Sequence, residues 1–165
     1  MTKRWPIALG CLVVAAVALY FTFFRESDEN AIKRVLAQFA TIVSVKDGDT
    51  IISRTARMRS KMQDVVTDGV SAHVAELNVD VRGREKLEED AIKVGLVYAS
   101  ADCTFVTKKI EIDPAATFAK VDATALVTAN RGGERKVDKR EVHFLLRKDG
   151  GWKIDSIDVA PVSAD

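Results

Sequence analysis

From Ile7 to Phe24 the chain carries no charged side chain, with Lys3 and Arg4 on one side and Arg25 on the other. A helix over those eighteen residues spans roughly 27 Å at about 1.5 Å per residue, enough to cross a bilayer's hydrocarbon. Helical backbone satisfies its own hydrogen bonds in lipid, where a loop cannot. Trp5 and Tyr20 lie near the two ends, where amphipathic rings favour the interface. The run is apolar all round, which separates it from a soluble amphipathic helix. It closes on Leu19-Tyr20-Phe21-Thr22-Phe23-Phe24, which offers no small-residue cleavage site; the earlier Ala15-Ala16-Val17-Ala18 is the alternative place for a cut. Ala8-Leu9-Gly10-Cys11 has the outline of a lipoprotein box, but few apolar residues precede that cysteine and the run continues well past it. The expectation is an uncleaved anchor: a short cytoplasmic tail over 1–6, a transmembrane helix over 7–24, a spacer over 25–30 and a soluble domain over 31–165.

Lys3 and Arg4 favour a cytoplasmic tail, and a short tail ahead of a long polar region has the form of a signal anchor that exports the domain behind it. The soluble domain is therefore expected in the periplasm or another extracytoplasmic space, as part of a single-pass membrane protein. Removing Lys3, Arg4 and Arg25 from the 25 basic residues leaves 22 against 24 acidic ones. So even a balance excludes a polybasic nucleic-acid binder and an acidic disordered tail. Cys11 falls in the apolar run and Cys103 in the polar part, so no internal disulfide is expected.

Ile32, Val35, Leu36, Phe39 and Val43 recur at spacings of three and four, predicting a helix of about residues 28–46 capped by Ser27 or Asp28. A second helix is predicted from Thr50, with Ile51, Met58, Met62, Val65 and Val66 inward and Arg54, Arg57 and Lys61 as an exposed basic stripe. Residues 70–76 read equally as helix or strand. Leu77, Val79 and Val81 alternate with polar residues as a short strand, which Gly83 ends. A third helix from Arg84 to about Ser100 turns Leu87, Ala91, Val94, Gly95 and Tyr98 inward. Four strands come next, Cys103–Ile112 (with a bulge near 107–109), Phe118–Thr128, Arg135–Arg147 and Trp152–Val159, joined by Asp113-Pro114, Asn130-Arg131-Gly132-Gly133 and Asp149-Gly150-Gly151. Helices first and an antiparallel sheet last make an α+β domain.

The helix–helix start, the short strand running into Gly83-Arg84-Glu85, and the finish Val142-His143-Phe144-Leu145-Leu146 then Asp149-Gly150-Gly151-Trp152-Lys153-Ile154 resemble the nuclear transport factor 2-like (SnoaL-like) superfamily. The resemblance covers about residues 28–160. It implies a cone, in which about three helices pack into a strongly bent antiparallel sheet. For function it implies little, since the scaffold carries isomerases, hydrolases, small-ligand binders and membrane-tethered assembly domains.

An enzyme on such a scaffold needs a titratable group facing the cone's interior. Alternation puts Asp138 and Arg140 on the face of Val142, Phe144 and Leu146, and Asp158 on the face of Trp152 and Ile154, with Tyr98 on the apolar side of its helix. These five, Tyr98, Asp138, Arg140, Trp152 and Asp158, are the candidate pocket residues. The opposing view makes the charges rim residues in water. His73 and His143 lack spaced partners, so no metal site is expected. Cys103 has no base beside it, and the paired glycines open no helix, so neither a nucleophile nor a phosphate loop, and hence no cofactor, is expected. The opposite sheet face carries Phe118, Leu126, Leu145 and Ile157 among polar residues, a surface suited to a homodimer. The functional expectation is a non-enzymatic binding or assembly domain for a small ligand or an envelope protein partner. The alternatives are an isomerase or hydrolase using Asp138 or Asp158 as base, and a purely structural envelope subunit.

Overall fold

The computed structural model describes residues 27–162; the tail, the anchor and the first two residues of the spacer expected from the sequence lie outside the described residues, and the rest of that spacer, from Asp28, is already helical. Among the described residues no helix is long and apolar enough to cross a membrane.

Helix α1 spans Asp28–Val43, with Ser27 as its N-cap accepting from the Asn30 N–H at 3.2 Å. Helix α2 spans Ile51–Val65 and begins with a capping box, the Thr50 hydroxyl accepting from the Ser53 N–H while the Ser53 hydroxyl accepts from the Thr50 N–H. Strand β1 (Val66–Val74) resolves the ambiguous stretch as sheet, and Val66, read as helical, is its first residue. A 3-10 turn at Ala75–Leu77 leads to β2 (Val79–Arg82), so Leu77 sits in the turn, exposed. Helix α3 (Arg84–Val97) comes next, then β3 (Ser100–Ile112), β4 (Phe118–Arg131), β5 (Glu134–Lys148) and β6 (Trp152–Pro161).

The six strands form one sheet in the order β2-β1-β6-β5-β4-β3. The meander β3 to β6 is antiparallel as predicted, with the expected shift between Thr107 and Lys109. The sheet as a whole is mixed, because β1 runs parallel to β6. A parallel pair needs a crossover connection, supplied here by everything from β2 to β5.

Two faces result. On the inner face, Val121 stands opposite Phe144 and Phe144 opposite Ile157, and Ile32, Leu36 and Phe39 of α1 with Met58 and Met62 of α2 bury themselves against them. Phe105 stacks on Phe39 (centroids 6.1 Å) and meets Phe144 edge-on (5.0 Å), linking α1 to the sheet through three rings. Ile157 is thus a core residue and not part of the outer face. Of the residues predicted inward on the helices, Ile51 and Val94 are exposed.

The basic stripe is also corrected. Arg54 is 2% exposed and donates to the carbonyls of Val43 and Ala91, while Arg57 donates to the Ser44 carbonyl at 3.0 Å and to Asp49 at 2.6 Å. The last turn of α1 has no basic residue of its own, so these two guanidiniums satisfy its terminal carbonyls from the next helix.

Candidate functional site

The sheet register decides where each predicted pocket residue goes. Arg140 stands opposite Ala125 and Asp138 opposite Val127, so both are on the inner face, as alternation predicts. Strand β6 ends at Pro161, opposite Arg140, so Asp138 lies beyond it, where β3, β4 and β5 continue as three paired strands. There Asp138 accepts from Arg140 Nη1 at 2.6 Å, and Arg140 Nε reaches Glu76 Oε2 of the 3-10 turn at 2.9 Å. The Asp138 side chain is 53% exposed. A half-exposed carboxylate held by a guanidinium is not a desolvated base.

Asp158 is on the other face. The register between β5 and β6 slips after Leu145–Ser156 to Leu146–Ile154, so Asp155 is an extra residue and Ile154 and Ile157 both turn inward. The bulge inverts the alternation, and Asp158 emerges outside, opposite His143. Trp152 is buried, and its Nε1–H donates to Asp28 Oδ1 at 2.8 Å. Ten residues of β5 separate Asp138 from Lys148, the partner of Trp152, a distance of roughly 30 Å. Tyr98 caps α3, its N–H donating to the Val94 carbonyl at 3.1 Å. The five candidates therefore do not meet in one pocket.

What is open lies beside α1. A groove of about 910 Å³ runs between that helix and the free edge of β3. It exists because α1 turns the short side chains of Ala37, Ala40 and Thr41 this way, and Ser44, the residue that caps the helix, continues the same line. The spacing i, i+3, i+4, i+7 of small residues next to the apolar stripe is the sequence signal for this groove. One end is closed by a two-way backbone pair between Val45 and Ala101 (2.7 and 2.9 Å) and by the Cys103 N–H donating to Ser44 Oγ at 3.1 Å. Leu36 and Phe105 contribute apolar surface, and Lys33, Lys46, Asp47, Asp102 and Arg135 supply charge. The Asn130 side-chain oxygen on its wall is buried and has no hydrogen-bond partner in the structure.

Burial, reinforced by the Asp102 charge, pushes the Cys103 thiol up to about 11, so the sulfur stays protonated and behaves as a small apolar group. Among the described residues no cluster of three or more His, Cys, Asp or Glu is arranged to hold a metal ion. A second surface is apolar: Ile51 and Ile52 at the start of α2 and Leu96 and Val97 at the end of α3 are exposed. Arg54 joins these two helix ends through Ala91.

No protein-family model matches the chain. No curated protein matches it either. Solved structures do. A Kribbella flavida protein is similar at 11% identity, over 84% of this chain and 93% of that one, with a TM-score of 0.68. A nuclear transport factor 2-like superfamily protein from Salmonella enterica serovar Typhimurium is 12% identical, over 84% and 94%, with a TM-score of 0.63. A ketosteroid isomerase-like protein from Erwinia carotovora atroseptica is 19% identical, over 82% and 94%, with a TM-score of 0.56. At such identities the likeness is one of architecture: three helices on a mixed six-stranded sheet, the nuclear transport factor 2-like fold.

Proposed function

We propose that this chain is a membrane-tethered, extracytoplasmic binding domain without catalytic activity, which receives an extended protein segment or a small apolar ligand in the groove between α1 and β3. One observation carries the reading: the concave face is filled by Leu36, Phe39, Phe105 and Phe144, while the adjoining groove is left open. Both carboxylates suited to act as bases are in water, Asp138 on an arginine and Asp158 on the outer face. Tethering by the apolar run at 7–24 raises the effective concentration near membrane partners, so weak binding suffices. The exposed patch of Ile51, Ile52, Leu96 and Val97 lies near the C-terminal end of α1, about 24 Å from its start by helical rise. It offers an envelope partner a second contact away from the anchor.

The rival, a small-molecule isomerase or hydrolase, draws support from the name of the Erwinia protein, and it requires a carboxylate inside the cone. The test is a photo-crosslinking residue at Thr104 in the full chain in its own membranes, with Lys86 on α3 as the distant control position. The expected result is a discrete adduct from Thr104 and none from Lys86, lost when Ala37→Trp and Thr41→Trp fill the groove. Equal adducts at both positions, or an adduct that survives groove filling, overturns it.

A further inference from the structure

The register places one residue from every strand in a single line across the outer face: Lys109, Asp122, His143, Asp158, His73 and Asp80, in the order β3-β4-β5-β6-β1-β2. His143 Nδ1 lies 2.7 Å from Asp122 Oδ1, and His73 Nδ1 lies 2.8 Å from Asp80 Oδ1. Asp158 stands between the two imidazoles, directly opposite each. The chain has two histidines, and both are here.

Histidine is the side chain whose charge ordinarily changes between pH 5 and 8. With both rings neutral the line holds three carboxylates against Lys109. With both protonated it alternates in sign at every position from edge to edge. Opposite charges on directly paired strand positions attract, and like charges repel. We propose that this line is a proton-operated clasp, which tightens the outer edge pair β1–β2 onto β6, and β6 onto β5 and β4, as the surroundings become acidic. The other groups facing the rings leave that sign unchanged. Around His143 these are Glu141 on its own strand, bonded to Lys108 at 3.1 Å, and Lys120 diagonally on β4. Around His73 the diagonal group is Arg82 on β2. The Lys109 ammonium is shared with Glu111 at 2.5 Å.

Only charged rings complete the alternation of sign across the paired strands, and the unfolded chain has no such line. The stabilisation is therefore present at low pH and lost as pH rises through the histidine range. The experiment compares thermal midpoints of the full chain in detergent with those of His73→Gln/His143→Gln, which keeps a hydrogen-bond donor without the charge. The expected gap is about 3 °C in favour of the wild type at pH 5.5, closing to within about 1 °C at pH 8.5. A gap of the same size at both pH values overturns the proposal. A second readout needs no histidine variant: Asp158→Asn, which removes the carboxylate between the two rings, should lower the thermal midpoint by about 2 °C at pH 5.5 and by less than about 1 °C at pH 8.5. Midpoints that do not move on this substitution overturn it equally.

Discussion

Arg54 and Gly95 occupy one another's space: a Cβ built on Gly95 would overlap Arg54 Nη1 and lie 3.0 Å from its Cζ. An exposed arginine would swing aside. Arg54 is buried and held by the Val43 and Ala91 carbonyls, with its Nε and Nη1 lacking partners. In a helix interior Gly→Ala ordinarily gains about 1 kcal/mol. Gly95→Ala should instead destabilise by about 1–2 kcal/mol through overpacking. In an Arg54→Ala background the same change should become neutral or stabilising. Denaturant unfolding of the four proteins of this cycle gives the coupling, and additive effects would refute the pairing.

The stripe of Arg54, Arg57 and Lys61 shows where sequence reasoning stops. Helix starts were legible at Ser27 and Thr50, because a cap is a contact between residues three apart. The meander was legible because alternation and turn glycines are local too. Arg54's burial depends on α3, and the parallel pairing of β1 with β6 on residues more than eighty positions apart. Asp158 failed for a third reason: the extra residue Asp155 leaves the composition of its strand unchanged while reversing every face assignment beyond it. The groove was half legible, in the small residues at 37, 40, 41 and 44, but only the edge position of β3 turns that stripe into an opening.

Asp49 and Arg57 set the acid limit of the helical layer. The hydrogen bond from Arg57 holds the Asp49 carboxyl below the usual carboxylate range, aided by the Lys46 N–H and opposed by burial. The two side chains are 12% and 20% exposed. A lowered folded-state value means stability that is complete above the unfolded value and lost as pH falls through the folded one, below about pH 4. Asp49→Asn should cost about 1.5 kcal/mol at pH 7, and its difference from the wild type should vanish toward pH 2. A cost that persists unchanged at pH 2 would mean that the ion pair contributes nothing.

Cys103 is expected to be chemically quiet. With the thiol at about 11, its thiolate fraction at pH 8 is about 100-fold below that of an ordinary cysteine. In a Cys11→Ser chain, iodoacetamide should alkylate the folded protein about 100-fold more slowly than the unfolded one. Groove occupancy should slow it further, since Cys103 lines that space. Equal rates for folded and unfolded protein would remove Cys103 from its buried site.

Trp152 fixes the place where the helical layer begins. Its Nε1–H and Lys148 Nζ both reach Asp28 Oδ1, at 2.8 and 2.6 Å, so the first residue of α1 is bound to both sides of the β5–β6 turn. Asp28 also lies at the helix's positive end, where a carboxylate is favoured. Its neighbour Glu29 pairs with Lys33 at 2.6 Å, both side chains about half exposed. Asp28→Ala should therefore cost about 1–2 kcal/mol, and Glu29→Ala no more than about 0.5 kcal/mol. Trp152→Phe keeps most of the buried ring and removes the donor, at about 1 kcal/mol, and much of that cost should disappear once Asp28 is already alanine. Chemical denaturation of the single and double variants decides it. Strictly additive costs would show that the indole holds its place by packing alone, leaving the start of α1 unanchored by that hydrogen bond.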